Sequence, residues 1–224
     1  KPGNVHPQAS FPGLTFRHLV HAGQIVAPIL AQAGQMGVGR TILEAVRATR
    51  EVVGSNANLG IILLLAPLCA AGPARKDWGR AVRMVLDRLT VKDAQLTYEA
   101  IRLSAAGGLG KVPNEDIESE PTVTLLEAMR LGQERDTIAL QYARGYRDIL
   151  SWGAPLLDEA MTVVGDVDEA VVWCHLEWMA RFPDSLIGCK CGAEIARESR
   201  SRAQKVIEHL EAFEGGSIPA RGFV

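Results

Sequence analysis

At 224 residues and a formal net charge of −2, the chain is long enough to bury about 70% of its unfolded surface without staples, and lacks the basic excess that nucleic-acid binding needs. Hydrophobic residues make up 47% and charged residues 22%, the balance of a globular protein with a real core. Cys69, Cys174, Cys189 and Cys191 form no C-x-x-C pair, which argues against a zinc ribbon and suits reduced thiols in a cytoplasmic protein.

In chain order, helical periodicity dominates. Phe16 to Ala33 places Leu19, Val20, Ile25, Val26, Ile29 and Leu30 on one broad face. Gly37 and Gly39 break the pattern before a second amphipathic segment, Thr41 to Val53, which Gly54 ends. Asn58 to Ala71 is apolar on all sides and is expected at the centre of the fold. It is too short to cross a membrane and contains Pro67, and no signal peptide is visible in the sequence. The chain starts at Lys1 rather than Met, so an earlier N-terminal segment is expected.

Trp78 to Leu89 reads as the next helix, and Thr90-Val91-Lys92-Asp93 as a capping box opening another to Ala106. Ala105 to Pro121, rich in Gly and acid, is the clearest loop. A long helix is predicted from Thr122 to about Ile149, then helices over Ala154 to Val163 and Asp168 to Arg181. Asp184 to Phe213 closes the chain as one charged helix, followed by a tail over residues 214–224. Strand signals are nearly absent. The expected fold is all-α, one compact domain over 1–224 with about eight or nine helices.

Five stretches could carry chemistry. Lys1-Pro2-Gly3-Asn4-Val5-His6 turns sharply, because Pro fixes one backbone angle and Gly frees the next; Lys1, Asn4 and His6 could face a pocket, or simply form a surface turn. Gly54-Ser55-Asn56-Ala57-Asn58-Leu59-Gly60 lies directly before an apolar helix, whose first amides lack partners and attract anions. Ser55, Asn56 and Asn58 either cap that helix or donate to a ligand. Arg102 to Lys111, with Ser104, Gly107 and Gly108, has the flavour of a phosphate loop. It matches neither the P-loop nor the dinucleotide fingerprint, and a glycine C-cap explains it better.

Glu134-Arg135-Asp136 offers carboxylates that could hold Mg²⁺, which takes few protein ligands and completes its shell with phosphates; solvated charge pairs are the competing reading. In Phe182 to Gly192, Asp184 reads as an N-cap. Lys190 follows it, and Gly188 and Gly192 cost helix stability that hints at close packing or ligand approach. His18 and His21 share a helical face and read as half-buried imidazoles.

Together these stretches resemble the triphosphoribosyl-dephospho-CoA synthase family. The likeness rests on the K-P-G opening at Lys1, Pro2 and Gly3, and on the G-x-N-x-x-x-G turn at Gly54, Asn56 and Gly60. It rests also on the late D-x-x-x-x-x-[RK]-x-G segment at Asp184, Lys190 and Gly192. KPGNVH, N-x-NLGIILLLAP, RL-x-x-x-GGLG, ERD and D-[ST]-LI are similar to a divergent branch found in archaea and in bacteria with pterin-linked one-carbon metabolism. Where the defining enzymes carry His-Lys in the turn, this chain has Asn58 and Leu59, and the acidic stretch after K-P-G is absent.

The resemblance implies an all-α transferase that moves the triphosphoribosyl group of ATP to an acceptor hydroxyl and releases adenine. Asp184, Glu134 and Asp136 would be catalytic, the last two holding Mg²⁺ as Mg-ATP. Lys1, Gly3, Asn4, His6, Ser55, Asn56, Asn58, Gly60, Arg102, Gly107, Gly108 and Lys190 would bind substrate and phosphates. The expected partners are ATP or a related nucleotide and dephospho-CoA or another cofactor precursor, with no nucleic acid and no membrane; a homodimer is compatible with the composition. The altered turn opens a second reading. It is another ATP-dependent or phosphate-ligand enzyme of tetrahydromethanopterin- or methanofuran-type cofactor synthesis, or a non-catalytic nucleotide-binding protein of that pathway.

Overall fold

The computed structural model describes residues 5–7, 9–54, 57–72, 77–105 and 119–213. Among them are twelve α-helices, one π-helical turn and no strands beyond two isolated bridges, so the fold is all-α as expected. Cα proximity groups the chain into two compact units. The first runs to Glu134 and takes in Ile138–Tyr146; the second takes Arg135–Thr137 and the chain from Arg147 onward.

The first unit holds α1 (Phe16–Leu30), α2 (Ala33–Met36), α3 (Val38–Val53), α4 (Leu59–Ala70), α5 (Trp78–Leu86), α6 (Val91–Ala105), α7 (Leu125–Gly132) and most of α8 (Thr137–Ala143). Three bonds show α3 and α6 running parallel. The Gly39 amide donates to Asp93 Oδ1 at 2.9 Å, Arg47 to Glu99, and Arg50 to the Leu103 carbonyl. Gly39 does not break the chain, as its sequence context suggests. It lies inside α3 because an added Cβ would stand 2.5 Å from the Asp93 Cα. Asp93 also closes the expected capping box, accepting from the Thr90 amide at 2.9 Å while Thr90 Oγ1 accepts from the Asp93 amide at 3.2 Å.

α4 is apolar all round, yet only part of it is buried: Ile62, Leu63, Ala66 and Pro67 face the core, while Ile61 and Leu65 are exposed. Pro67 has no N–H, so the Leu63 carbonyl loses its helical donor. Tyr142 Oη donates to that carbonyl at 2.6 Å, and Tyr146 Oη to the next, Leu64, at 3.0 Å. Tyr146 holds φ +62°, a left-handed conformation rare for a bulky residue.

The second unit contains the π-helical turn Ile149–Gly153, α9 (Ala154–Val164), α10 (Val167–Arg181), α11 (Ser185–Cys191) and α12 (Ala193–Phe213). Small residues let α10 and α12 meet: Ala180 and Ala203 form a buried cluster with Ile207, and Leu176 and Met179 pack against it. The helices outnumber the expectation because long segments are interrupted. The stretch predicted as one helix from Thr122 divides at the turn after Gly132. The closing helix divides at Gly192, whose φ of +94° no ordinary side chain adopts comfortably. The residues 214–224 lie outside the described residues.

Burial pushes the pKa of Tyr142 and Tyr146 well above that of an ordinary tyrosine. A raised folded value adds stability that is complete below the unfolded value of about 10 and declines as pH climbs past it. Tyr142→Phe leaves the Leu63 carbonyl without a donor and should cost about 1–3 kcal/mol in urea unfolding at pH 7. The wild-type midpoint should also fall above about pH 10, less steeply in the Tyr142→Phe, Tyr146→Phe double variant. Equal stability at pH 7 together with parallel alkaline profiles would contradict this account.

Candidate functional site

In the second unit, Pro183 ends α10, with Phe182 turned to an extended φ of −120° and ψ of 130°. Asp184 then caps α11, its Oδ1 accepting from the Leu186 amide at 2.8 Å and the Ile187 amide at 2.9 Å. The next residue, Ser185, reaches a distant part of the chain. Its Oγ accepts from the Thr137 amide at 3.3 Å and lies 3.1 Å from Thr137 Oγ1. Thr137 directly follows Asp136. Asp136 and Asp184, far apart in sequence, therefore each lie one residue before a partner in this contact.

This differs from the sequence reading in detail. Glu134 and Asp136 do not sit within a long helix: Glu134 is exposed in the turn after α7, and Asp136 precedes α8. The two group with different units. Lys190 is exposed in the last turn of α11, at the opposite end from Asp184. Gly188 and Gly192 mark no close approach. A Cβ on Gly188 would meet only Ala196 Cβ at 3.9 Å, and one on Gly192 would meet nothing within 4 Å.

In the first unit, Val5 is fully buried, and exposed His6 exchanges backbone bonds of 3.0 Å with Ala9. Asn58 occupies the N-cap position of α4 and is buried, but its side chain makes no capping bond; only its carbonyl accepts, from the Ile62 amide at 2.9 Å. Capping therefore does not account for its amide. Gly60 packs closely, since an added Cβ would meet Ile138 Cδ1 at 3.1 Å. Arg102 is half-buried in the last turn of α6, and the Ser104 hydroxyl donates to the Ile101 carbonyl at 2.7 Å rather than facing a ligand. His18 belongs to a helix cap, its Nδ1 accepting from the Thr15 amide at 3.3 Å, and His21 is exposed. Lys1, Gly3, Asn4, Ser55, Asn56, Gly107 and Gly108 lie outside the described residues.

Among the described residues, no three His, Cys, Asp or Glu side chains gather as a metal cage. A magnesium ion needs no such cage, because one or two carboxylates and substrate phosphates complete its shell. All four thiols are free, and burial pushes Cys69 and Cys174 above the ordinary thiol range, Glu177 adding to the effect at Cys174. Glu127 is held below the usual carboxylate range, first by the Thr124 amide and then by its hydroxyl, as part of the α7 capping box. Sequence reasoning missed Thr137 and Ser185; the available signal was that each follows an aspartate as a hydroxyl residue.

A family model described as ATP:dephospho-CoA triphosphoribosyl transferase (CitG) matches residues 1–221. The crystal structure of a protein from Archaeoglobus fulgidus, provisionally named a triphosphoribosyl-dephospho-CoA synthase, has a TM-score of 0.66 to this chain. It is 24% identical, with 88% of this chain and 89% of that one covered, a likeness of fold. No curated protein matches the chain in sequence. No helix among the described residues is long and apolar enough to cross a membrane.

Asp184→Asn keeps a good N-cap while removing the charge, whereas Asp184→Ala removes both. We expect Asp184→Ala to lose about 1 kcal/mol in thermal unfolding and Asp184→Asn much less, with catalytic turnover reduced at least about 100-fold in both. Full turnover in Asp184→Asn would limit Asp184 to capping.

Proposed function

We propose, for a chain that belongs to the ATP:dephospho-CoA triphosphoribosyl transferase family, that it moves the triphosphoribosyl group of ATP to a hydroxyl of a cofactor precursor such as dephospho-CoA. The observation that carries this reading is the family match across residues 1–221, and the Thr137–Ser185 contact beside Asp136 and Asp184 supports it. In the reaction, the bond between ribose C1′ and adenine N9 breaks and a bond from C1′ to the acceptor oxygen forms. Adenine leaves with the bonding pair and takes up a proton, and the acceptor hydroxyl gives one up.

The sugar passes through a state with cationic character at C1′, which a fixed carboxylate stabilises. Asp184 suits that role. Two amides hold one of its oxygens, so its carboxylate does not reorganise as charge develops. Asp136 is assigned the acceptor proton, as general base. Magnesium arriving as Mg-ATP would neutralise charge on the triphosphate, its shell completed by phosphate oxygens and water. The buried amide of Asn58, unused in capping, is assigned to substrate binding in the first unit.

Asn58 and Leu59, which replace a His-Lys pair, favour an acceptor other than dephospho-CoA. They also leave a second reading, an ATP-dependent enzyme or nucleotide-binding protein of one-carbon cofactor synthesis. Incubation with Mg-ATP and a panel of hydroxyl-bearing cofactor precursors, dephospho-CoA among them, read by liquid chromatography with mass detection, separates these readings. Free adenine that depends on the acceptor is the expected product. ADP or AMP without adenine, or intact ATP with every cofactor precursor offered, would contradict triphosphoribosyl transfer.

A further inference from the structure

The second unit carries an aromatic cluster that the assignments above leave unused. Trp152 stands in the π-helical turn Ile149–Gly153, a widened turn of the kind found often at functional sites. It meets Trp178 edge-on with ring centroids 4.9 Å apart, and Phe182 at 6.2 Å. Gly153 permits this packing, because an added Cβ would lie 2.8 Å from Trp178 Cζ2. The Arg181 guanidinium lies over the Trp152 ring, 4.6 Å from its centroid, and 5.7 Å from that of Phe182. All four side chains are half-buried.

An arginine in the last turn of a helix ordinarily serves the orphan carbonyls there. In α10 other residues do so: Arg200 Nε donates to the Ala180 carbonyl at 3.0 Å, and Gln204 Nε2 to the same oxygen at 3.2 Å. That carbonyl belongs to the peptide joining Ala180 to Arg181, so a second guanidinium is anchored at the base of the first. Among the described residues neither Arg181 nor Arg200 forms an ion pair with a carboxylate. Arg181 is thus fixed by aromatic rings rather than by an acid. Its planar fork of N–H donors is preorganised and keeps its charge uncompensated, the arrangement suited to a phosphate.

We infer that Arg181, held on Trp152 and Phe182, with Arg200 bonded to the carbonyl just before it, is a binding site for the polyphosphate of a nucleotide, close in the chain to Asp184. The identity of that nucleotide rests on the function proposed above, while the site itself rests on anion chemistry. Isothermal titration calorimetry of the full chain with sodium tripolyphosphate tests it, with adenosine as the probe lacking phosphate. The expected result is binding of tripolyphosphate that Arg181→Met weakens at least about 10-fold, the loss of a bidentate charge-assisted pair. Arg181→Lys, which keeps the charge without the fork, should fall about 3-fold or more, and Trp152→Leu, which removes the stack, similarly.

Circular dichroism melting checks that each variant is folded. Should Arg181→Met be unfolded, Arg181→Lys decides, unchanged affinity counting against the site. Wild-type affinity in a folded Arg181→Met, or no wild-type binding at millimolar tripolyphosphate, overturns the inference. Acceptor-dependent adenine release with an unchanged KM for ATP in Arg181→Met would sink this site and leave the transfer reaction standing. Arg181-dependent binding without adenine release would do the reverse.

Discussion

The Leu63 carbonyl is the point on which the first unit turns. Pro67 denies it the amide that a regular helix would supply, and a buried carbonyl without a donor costs about 1–3 kcal/mol. The Tyr142 hydroxyl supplies the missing bond at 2.6 Å, and Tyr146 serves the neighbouring Leu64 carbonyl. A tyrosine in a left-handed conformation is tolerated for the sake of the second bond. These bonds set the register of α8 against α4, and in that register Ile138 fills the space beside Gly60. The N-terminal turn of α4, with the buried Asn58, is held in place by a repair made farther along the same helix.

In the second unit the candidate site residues also gather where helices stop. Pro183 ends α10, Asp184 opens α11 and Ser185 ties that opening to Thr137. Arg200 and Gln204 take over the C-terminal carbonyl of α10, which releases Arg181 to lie on Trp152. Helix interiors satisfy their own backbone, so ends and interruptions are where polar groups remain for a ligand. A rigid all-helical frame can thus hold carboxylates and guanidinium groups at fixed places without a loop-built cavity.

Much of the frame was legible in the residues. The apolar period gave the helices, Thr90 with Asp93 gave a capping box, and Asp184 stood out as an N-cap because Pro183 precedes it. Less legible were the breaks. Nothing local marks Gly132 as the end of α7 rather than a helical glycine, or tells Gly192, which turns at φ +94°, from Gly39, which stays helical against Asp93. Asp136 and Asp184 were recognisable as candidates, but Thr137 meets Ser185 across 48 residues, beyond the reach of any local pattern. The same holds for the tyrosine hydroxyls and the arginine stack. Periodicity encodes which face is buried, and it does not encode which distant polar group completes an interrupted helix.

The reaction assigned to this chain has a distinctive fate for the atoms of ATP. Two preparations, one labelled in adenine and one in the γ-phosphate, are each incubated with the protein, magnesium and a cofactor precursor bearing a free hydroxyl. Triphosphoribosyl transfer predicts that the γ-phosphate label moves onto the acceptor while the adenine label appears as free base, in equal amounts. A γ-phosphate label on the acceptor with the adenine label retained in ADP would mean phosphoryl transfer, and would contradict the account.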